Sequence, residues 1–358
     1  MHERINPQRD TIKRNGTAVR IRGMVISTPL LLAPMAGITH SAFRAVLARL
    51  GGVGLFATEM LSARTLPRED PDSPFLVRTP QEAPLSWQIL VGKAEEIPPA
   101  LDALHALGAD AVDINMGCPA PNVRRRLGGS TLLQDPVRAR LILREVRSRT
   151  ELPVSVKMRI FPAGAKEAEQ AFCRMLQEEG VDFLSVHARF PGEPFGRPPR
   201  WERVRYLKEA LTIPVFLNGG VFSVEDARKA LDVSGADGLM IGRGAVIRPW
   251  LMRDIARDVY GLSLPSDTPS RKDLFHSLAQ GLTERFPPEL RLGRLKRFTH
   301  YFSRTFLFAH TLASAVQASR TFEEACERAD AFFASQDPDT ADLLKTSGAY
   351  GINFDVGA

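Results

Sequence analysis

The sequence predicts an α/β protein, a (β/α)8 TIM barrel followed by a small C-terminal helical domain, and three observations carry that expectation. Eight short apolar runs alternate with helix-spaced segments over roughly 250 residues, the size of such a barrel. No GxGxxG fingerprint follows the first run, as a doubly wound dinucleotide-binding sheet would require. Polar or glycine residues gather at the ends of the runs, where a barrel builds its active site.

The expected strands are 30–35, 53–58, 84–89, 110–115, 153–158, 181–187, 214–218 and 236–242. Each is a short run rich in β-branched or apolar residues, as strands covered on both faces should be. Helical spacing marks 40–50, 94–107, 136–147, 165–179, 201–211 and 224–231 between them. Past about Ile255 the pattern changes to amphipathic helices over 271–286, 292–308 and 321–335, joined by the proline-bearing turns SLPSDTPS and FPPE. The chain is therefore divided into an N-terminal extension (1–28), a catalytic barrel (29–255), a helical domain (256–340) and a C-terminal tail (341–358).

With 358 residues, 44% of them hydrophobic, the chain can bury one large core and a smaller one. Three cysteines (Cys118, Cys173, Cys326) form no CxxC pair, so neither a metal site nor a disulfide framework is expected and a reducing cytoplasm fits. No apolar run reaches the length of a membrane span, and MHERINPQRDTIKRNG lacks the apolar core of a signal peptide. A cytoplasmic monomer without a membrane partner is the expectation. The net charge of +6 permits a polyanionic partner without requiring one.

Cys118 lies in DINMGCPAP, where an expected strand ends in Asn, Gly, Cys and Pro. A free Cys is more often a small buried hydrophobe than a catalyst, but Gly117 and Pro119 shape an irregular turn here and Asn115 can orient a polar ligand. FLNGGV and MIGRGAV close the seventh and eighth runs. Asn218, Gly219, Gly220, Gly242 and Arg243 are thereby placed where backbone N–H groups and a guanidinium can receive a phosphate. Either segment alone could be a mere tight turn. Lys157 and His187 end the fifth and sixth runs, suited to the electron-rich edge of a reduced flavin, while Gln88 and the backbone of Pro34, Met35 and Ala36 could frame its ring. The joint placement suggests FMN.

LLAPMAGIT, DINMGCPAPNV with RLGGSTLL, VSVKMR, VHAR, PVFLNGGV and GLMIGRG, in this order, resemble the tRNA-dihydrouridine synthase family, over about Leu30 to Arg253. The NxGCP turn is the most specific of these motifs. The resemblance implies an FMN barrel followed by a helical domain that grips tRNA, with NADPH or NADH reducing the flavin. It further implies hydride transfer to C6 of a uracil and a proton from Cys118 to C5, with Asn115 positioning the base and Arg159 near substrate or phosphate. In the helical segment Arg291, Arg294, Lys296, Arg297 and Arg304 are interleaved with Phe298, His300, Tyr301 and Phe302, with no acidic residue between Arg291 and Arg304. That composition suits RNA phosphates and bases, and Arg294, Lys296 and Arg297 are the expected phosphate contacts. An amphipathic helix with core aromatics would look the same.

The chain departs from the family pattern at Phe190, Pro191 and Glu193 after HAR, and at Pro121 and Asn122 after GCPA. These positions surround the substrate mouth, not the flavin phosphate, so FMN binding is the firmer expectation and uridine choice the less determined one. Two other readings stand beside it. One is an FMN barrel reductase of a small pyrimidine-like substrate; the other is a non-catalytic RNA-binding member.

Overall fold

The computed structural model describes residues 18–267 and 269–335. The expected tail over 341–358 and residues 1–17 of the expected extension lie outside the described residues. The chain begins with a hairpin, β1 (Val19–Ile21) and β2 (Met24–Ile26), paired antiparallel. The barrel then follows through β3 (Leu30–Leu32), α1 (Ser41–Leu50), β4 (Phe56–Ala57), β5 (Leu61–Ser62), β6 (Leu85–Leu90), α2 (Ile97–Ala106) and β7 (Ala111–Met116). It continues with α3 (Pro121–Arg125), α4 (Pro136–Arg149), β8 (Val154–Arg159), α5 (Lys166–Glu178), β9 (Phe183–His187), α6 (Trp201–Ala210) and β10 (Val215–Asn218). The last turn of the barrel is α7 (Val224–Ser234), β11 (Gly238–Ile241), α8 (Arg243–Ile247) and α9 (Leu251–Asp258).

The parallel strands run in the order β3-β11-β10-β9-β8-β7-β6-β4, with β5 added beside β6. A parallel bridge between Leu31 and Leu55, with Leu32 N donating to Leu55 O at 2.9 Å, brings the two end strands together. All eight expected barrel strands are present. Helix starts follow local chemistry: Asp135 accepts from Arg138 N at the head of α4, and Ser223 from Asp226 N at the head of α7.

Two apolar cores result. The larger lies between the barrel wall and its surrounding helices and runs without a break into the C-terminal helices. The smaller is inside the barrel floor, where Leu31, Leu55, Phe183, Phe216 and Met240 pack against Val19, Ile21 and Ile26 of the hairpin. The hairpin, assigned to an extension by sequence, is thus a plug for the N-terminal end of the barrel. Above that floor the inward side chains turn polar: Asp113 and Ser155 first, then Gln88, Asn115, Lys157, His187 and Asn218 at the mouth.

The helical segment comprises α10 (Arg271–Arg285), α11 (Pro288–Phe302), α12 (Ala309–Ala318) and α13 (Phe322–Ala334). The helix expected over 292–308 starts and ends earlier. Pro287 and Pro288 open it, since proline's fixed φ suits a first helical turn. A 3-10 turn at Ser303–Thr305 closes it and lets α12 form separately. α9 continues through the expected boundary at Ile255. Phe298 and Phe302 stack at 4.8 Å, and Phe302 meets Phe306 at 5.8 Å, so these aromatics form the core of the segment. Phe298 also reaches Phe43 of α1 at 6.0 Å, joining the two units. No described helix is long and apolar enough to cross a membrane.

Candidate functional site

A cleft of about 790 Å³ opens at the C-terminal ends of the barrel strands, and α11 forms its outer wall. Such a volume is in the range of cofactor and ligand pockets. From the barrel it is lined by Pro34, Met35, Ala36, Gln88, Asn115 and Cys118. Lys157, Arg159, His187 and Asn218 continue the wall, and Gly219, Gly220, Gly242 and Arg243 complete it. From α11 come Lys296 and Arg297, together with Gly293, His300 and Tyr301, one helix face at the i, i+3/4, i+7/8 spacing. Of the expected catalytic, cofactor-binding and substrate-binding residues, all line this cleft except Arg294, whereas Phe190, Pro191, Glu193, Pro121 and Asn122, expected around the substrate mouth, do not line it.

Arg294 is turned the other way. Its guanidinium lies 4.2 Å from the centre of the Phe286 ring and 5.1 Å from that of Phe75, and Nη1 donates to Leu290 O at 3.1 Å. It fastens the helical segment to the barrel and is not available to a phosphate at the cleft. Lys296 and Arg297 line the cleft while spending part of their capacity on the protein: Lys296 Nζ donates to Ser319 O at 2.7 Å, and Arg297 Nη1 to Ala36 O at 3.0 Å. The basic and aromatic interleaving therefore divides by helix face, with the phenylalanines inward and His300 and Tyr301 on the cleft.

The Cys118 turn is held from several sides. Asn115 Oδ1 accepts from Gly117 N at 3.1 Å and Cys118 N at 3.0 Å, and Cys118 O accepts from Ser130 N at 2.9 Å. Gly129, at φ 60°, is required there: a Cβ would come 2.5 Å from Cys118 O and 2.6 Å from Val123 Cγ1. Arg159 Nε donates to Gly117 O at 3.0 Å, so that guanidinium supports the turn as well as facing the cleft. Asn115 Nδ2 donates to Gln88 Oε1 at 2.9 Å, leaving the amide one N–H to offer a ligand.

The mouth is strongly cationic. Burial pulls the Lys157 ammonium down to about 8, with Arg159 adding to the effect and Asp113 opposing it, so it stays charged at neutral pH. Burial, and then the charges of Lys157, Arg159, Arg189 and Arg243, hold His187 well below the usual imidazole value. It is neutral at pH 7. Arg189 Nη1 lies 3.3 Å from His187 Nε2 and can only donate, so the ring proton belongs on Nδ1. Arg189 also donates through Nε and Nη2 to Arg197 O and through Nη2 to Phe195 O, tying the loop after β9 to the cleft. Phe195, 44% exposed, stacks on His187 at 6.0 Å with the Arg243 guanidinium 4.5 Å from its ring.

Two of the positions that depart from the family pattern, Phe190 and Glu193, share a network with Arg200. Glu193 Oε2 accepts from Phe190 N at 3.1 Å and from Arg200 Nη1 at 2.7 Å, and the Arg200 guanidinium lies 4.1 Å from the Phe190 ring centre. Pro121 begins α3, and the exposed Asn122 uses Oδ1 to accept from Val123 N at 3.0 Å. The residues missed by sequence reading are Arg189, Phe195 and Asp113. Arg189 and Asp113 lie inside quoted motifs, but no pattern showed what each would touch.

Fold and mouth together define a (β/α)8-barrel enzyme with a cationic cleft around a single cysteine. The model of the dihydrouridine synthase family matches residues 31–336, and the chain belongs to that family. A tRNA-dihydrouridine(16) synthase of Aquipseudomonas alcaligenes is 34% identical over 319 residues, covering 85% of this chain and 98% of the relative. A tRNA-dihydrouridine synthase B of Pseudomonas putida is 36% identical over 240 residues, 67% of this chain and 71% of the relative. Among solved structures, a variant of NCR from Zymomonas mobilis superposes with a TM-score of 0.51 at 15% identity, covering 76% of this chain and 99% of that one. That likeness is one of fold.

Proposed function

We propose that this chain reduces particular uridines of tRNA to 5,6-dihydrouridine, with FMN held in the cleft and NADPH or NADH as the electron donor. The observation that carries the reading is the placement of Cys118 in one cleft with Lys157, His187 and the glycine turns, under a wall contributed by α11. The relatives' names supply tRNA as the substrate, and tRNA in turn favours the cytoplasm as the compartment. We propose a monomer, because both walls of the cleft come from one chain.

The residues present fit FMN. Gly219, at φ 108°, passes so close to His187 that a Cβ would meet Cδ2 at 2.7 Å, leaving bare backbone on that side of the cleft. Asn218 Nδ2 donates to Met240 O at 2.7 Å and locks β10 to β11 beneath the turns. Gly219, Gly220, Gly242 and Arg243 would hold the phosphate. Lys157 and neutral His187 would face the pyrimidine edge of the ring, with Gln88 and the Pro34–Ala36 backbone around it. When bound and reduced, FMN supplies hydride for C6 of the uracil.

The remaining work falls to the protein. Cys118 gives its proton to C5, so that hydride and proton together saturate the C5–C6 bond. Asn115 and Arg159 keep the Cys118 turn in place, and the spare N–H of Asn115 meets the base. A uracil stacked in tRNA must be turned out of its loop to reach this depth. Lys296, Arg297 and His300 then meet the backbone at the rim. The test compares dihydrouridine by mass spectrometry in tRNA from cells with the gene, without it and with Cys118→Ala. Loss at one position, such as the 16 in the name of the A. alcaligenes relative, restored only by wild type, is expected; unchanged tRNA in the deletion strain would refute the reading.

A further inference from the structure

Beneath the cleft, a chain of buried polar groups ends on a carboxylate that the cleft does not reach. Asp113 is 4% exposed and faces the barrel interior from β7. Its Oδ1 accepts from Ser155 Oγ at 2.7 Å and its Oδ2 from Gln88 Nε2 at 2.6 Å. Gln88 Oε1 accepts from Asn115 Nδ2 at 2.9 Å, and Asn115 Oδ1 accepts from Gly117 N and Cys118 N. Two primary amides thus stand in series between a carboxylate at one end and two backbone N–H groups at the other.

We propose that Asp113 is a positioning residue that fixes the orientation of the Gln88 and Asn115 amides and, through them, the turn that carries Cys118. An amide in isolation can flip, because its oxygen and nitrogen ends are nearly the same size. Here it cannot. An ionised carboxylate only accepts, so Gln88 must turn its nitrogen down and its oxygen toward Asn115. Asn115 must then give its nitrogen to Gln88 and its oxygen to the turn, the one choice that also satisfies Gly117 N and Cys118 N. Flipping either amide would bring two donors or two acceptors face to face in a dry interior, where an unsatisfied polar group costs about 1–3 kcal/mol. Asp113 does not itself line the cleft. Its bonded route to the Cys118 turn runs through Gln88 and Asn115, and its charge also acts on Lys157, so thiol labelling at Cys118 is the readout that isolates the bonded route.

The inference rests on the proposed role of Cys118, and its test has a readout that needs no RNA. Asp113→Asn can keep the polarity, accepting from Gln88 through Oδ1 and donating to Ser155 Oγ through Nδ2. Asp113→Leu removes the acceptor while keeping the branched shape of the side chain. Iodoacetamide labelling of Cys118, followed peptide by peptide to separate it from Cys173 and Cys326, is expected to be about five-fold faster in the Leu variant and unchanged in the Asn variant, as the freed turn exposes the thiol. Single-turnover dihydrouridine formation by pre-reduced enzyme is expected to fall about 30-fold in Asp113→Leu with tRNA affinity within about two-fold. The double variant Asp113→Leu with Asn115→Ala should be no slower than the slower single, since both cut one chain. If Asp113→Leu does not fold, Gln88→Leu cuts the next link and carries the same labelling expectation. Wild-type labelling in the Leu variant, or additive losses in the double variant, would overturn the proposal. A wild-type enzyme that makes no dihydrouridine would refute the functional reading while the labelling still decided this one.

Discussion

Gly219→Ala adds one methyl group at the base of the cleft, and the structure says what it meets. The added Cβ would lie 2.7 Å from His187 Cδ2 and 2.9 Å from Nε2, about 0.7 Å inside ordinary contact at the nearer atom. His187 cannot simply step aside, because Arg189 bonds Nε2 and Phe195 stacks on the ring. The backbone adds to the cost, since φ of 108° lies where a residue with a Cβ loses about 1–3 kcal/mol. If about 1.4–3 kcal/mol of this appears as displacement of His187 and its turn, FMN affinity falls roughly 10- to 100-fold. Gly192→Ala is the control: its φ is 78°, but a Cβ there meets nothing within 4 Å. It should lower the melting temperature by a few degrees, as about 1 kcal/mol of strain would, and leave FMN affinity intact. Both are read by titrating apoprotein with FMN and following fluorescence quenching. Equal FMN affinity in Gly219→Ala and wild type, or an equal loss in Gly192→Ala, would refute the argument from close approach.

Burial pushes the Asp113 carboxyl up from 3.8 to about 6, which opposes folding by about 3 kcal/mol once the pH exceeds both values. Because the folded value is the higher, this penalty grows as pH rises from about 4 to about 6. Urea unfolding should show wild type losing stability relative to Asp113→Asn across that window, and parallel curves would count against it. Arg44→Met strips the buried Glu82 of the guanidinium 2.7 Å away and should cost about 3–5 kcal/mol in the same assay; a loss under 1 kcal/mol would mean the carboxylate finds another partner. Arg297→Ala should weaken tRNA binding and lower the slope of log affinity against log salt by about 1, whereas Arg294→Met should lower stability and leave that slope unchanged.

Much of the fold was legible because strands and helices carry local signatures. Eight apolar runs of strand length, separated by helix-spaced segments, allow few architectures other than a barrel, and the polar residues at their ends point to its mouth. Shorter elements escaped notice. The β1–β2 hairpin has three residues per strand and gains its stability from the barrel floor, a contact absent from its own sequence. The helix expected over 292–308 runs through the 3-10 turn that ends α11, because that turn holds no glycine or proline to announce it, and no helix is expected over α12. Arg294 was grouped with Lys296 and Arg297 since charge density along a chain does not tell which helix face a residue occupies.

The sequence by itself determined the chemistry available to this protein: one cysteine in an irregular turn, the cations, and the glycine turns that close β10 and β11. It did so because backbone-level demands and side-chain types are written residue by residue. Only the tertiary structure decided how those groups restrain one another. The pairing of β6 with β7 and of β7 with β8 sets Asp113 beside both Gln88 and Ser155, and the rings of Phe286 and Phe75 hold Arg294 away from the cleft while Lys296 lines it. Hydrogen bonds between residues 25 or more apart in the chain depend on register and packing, and no local pattern encodes either.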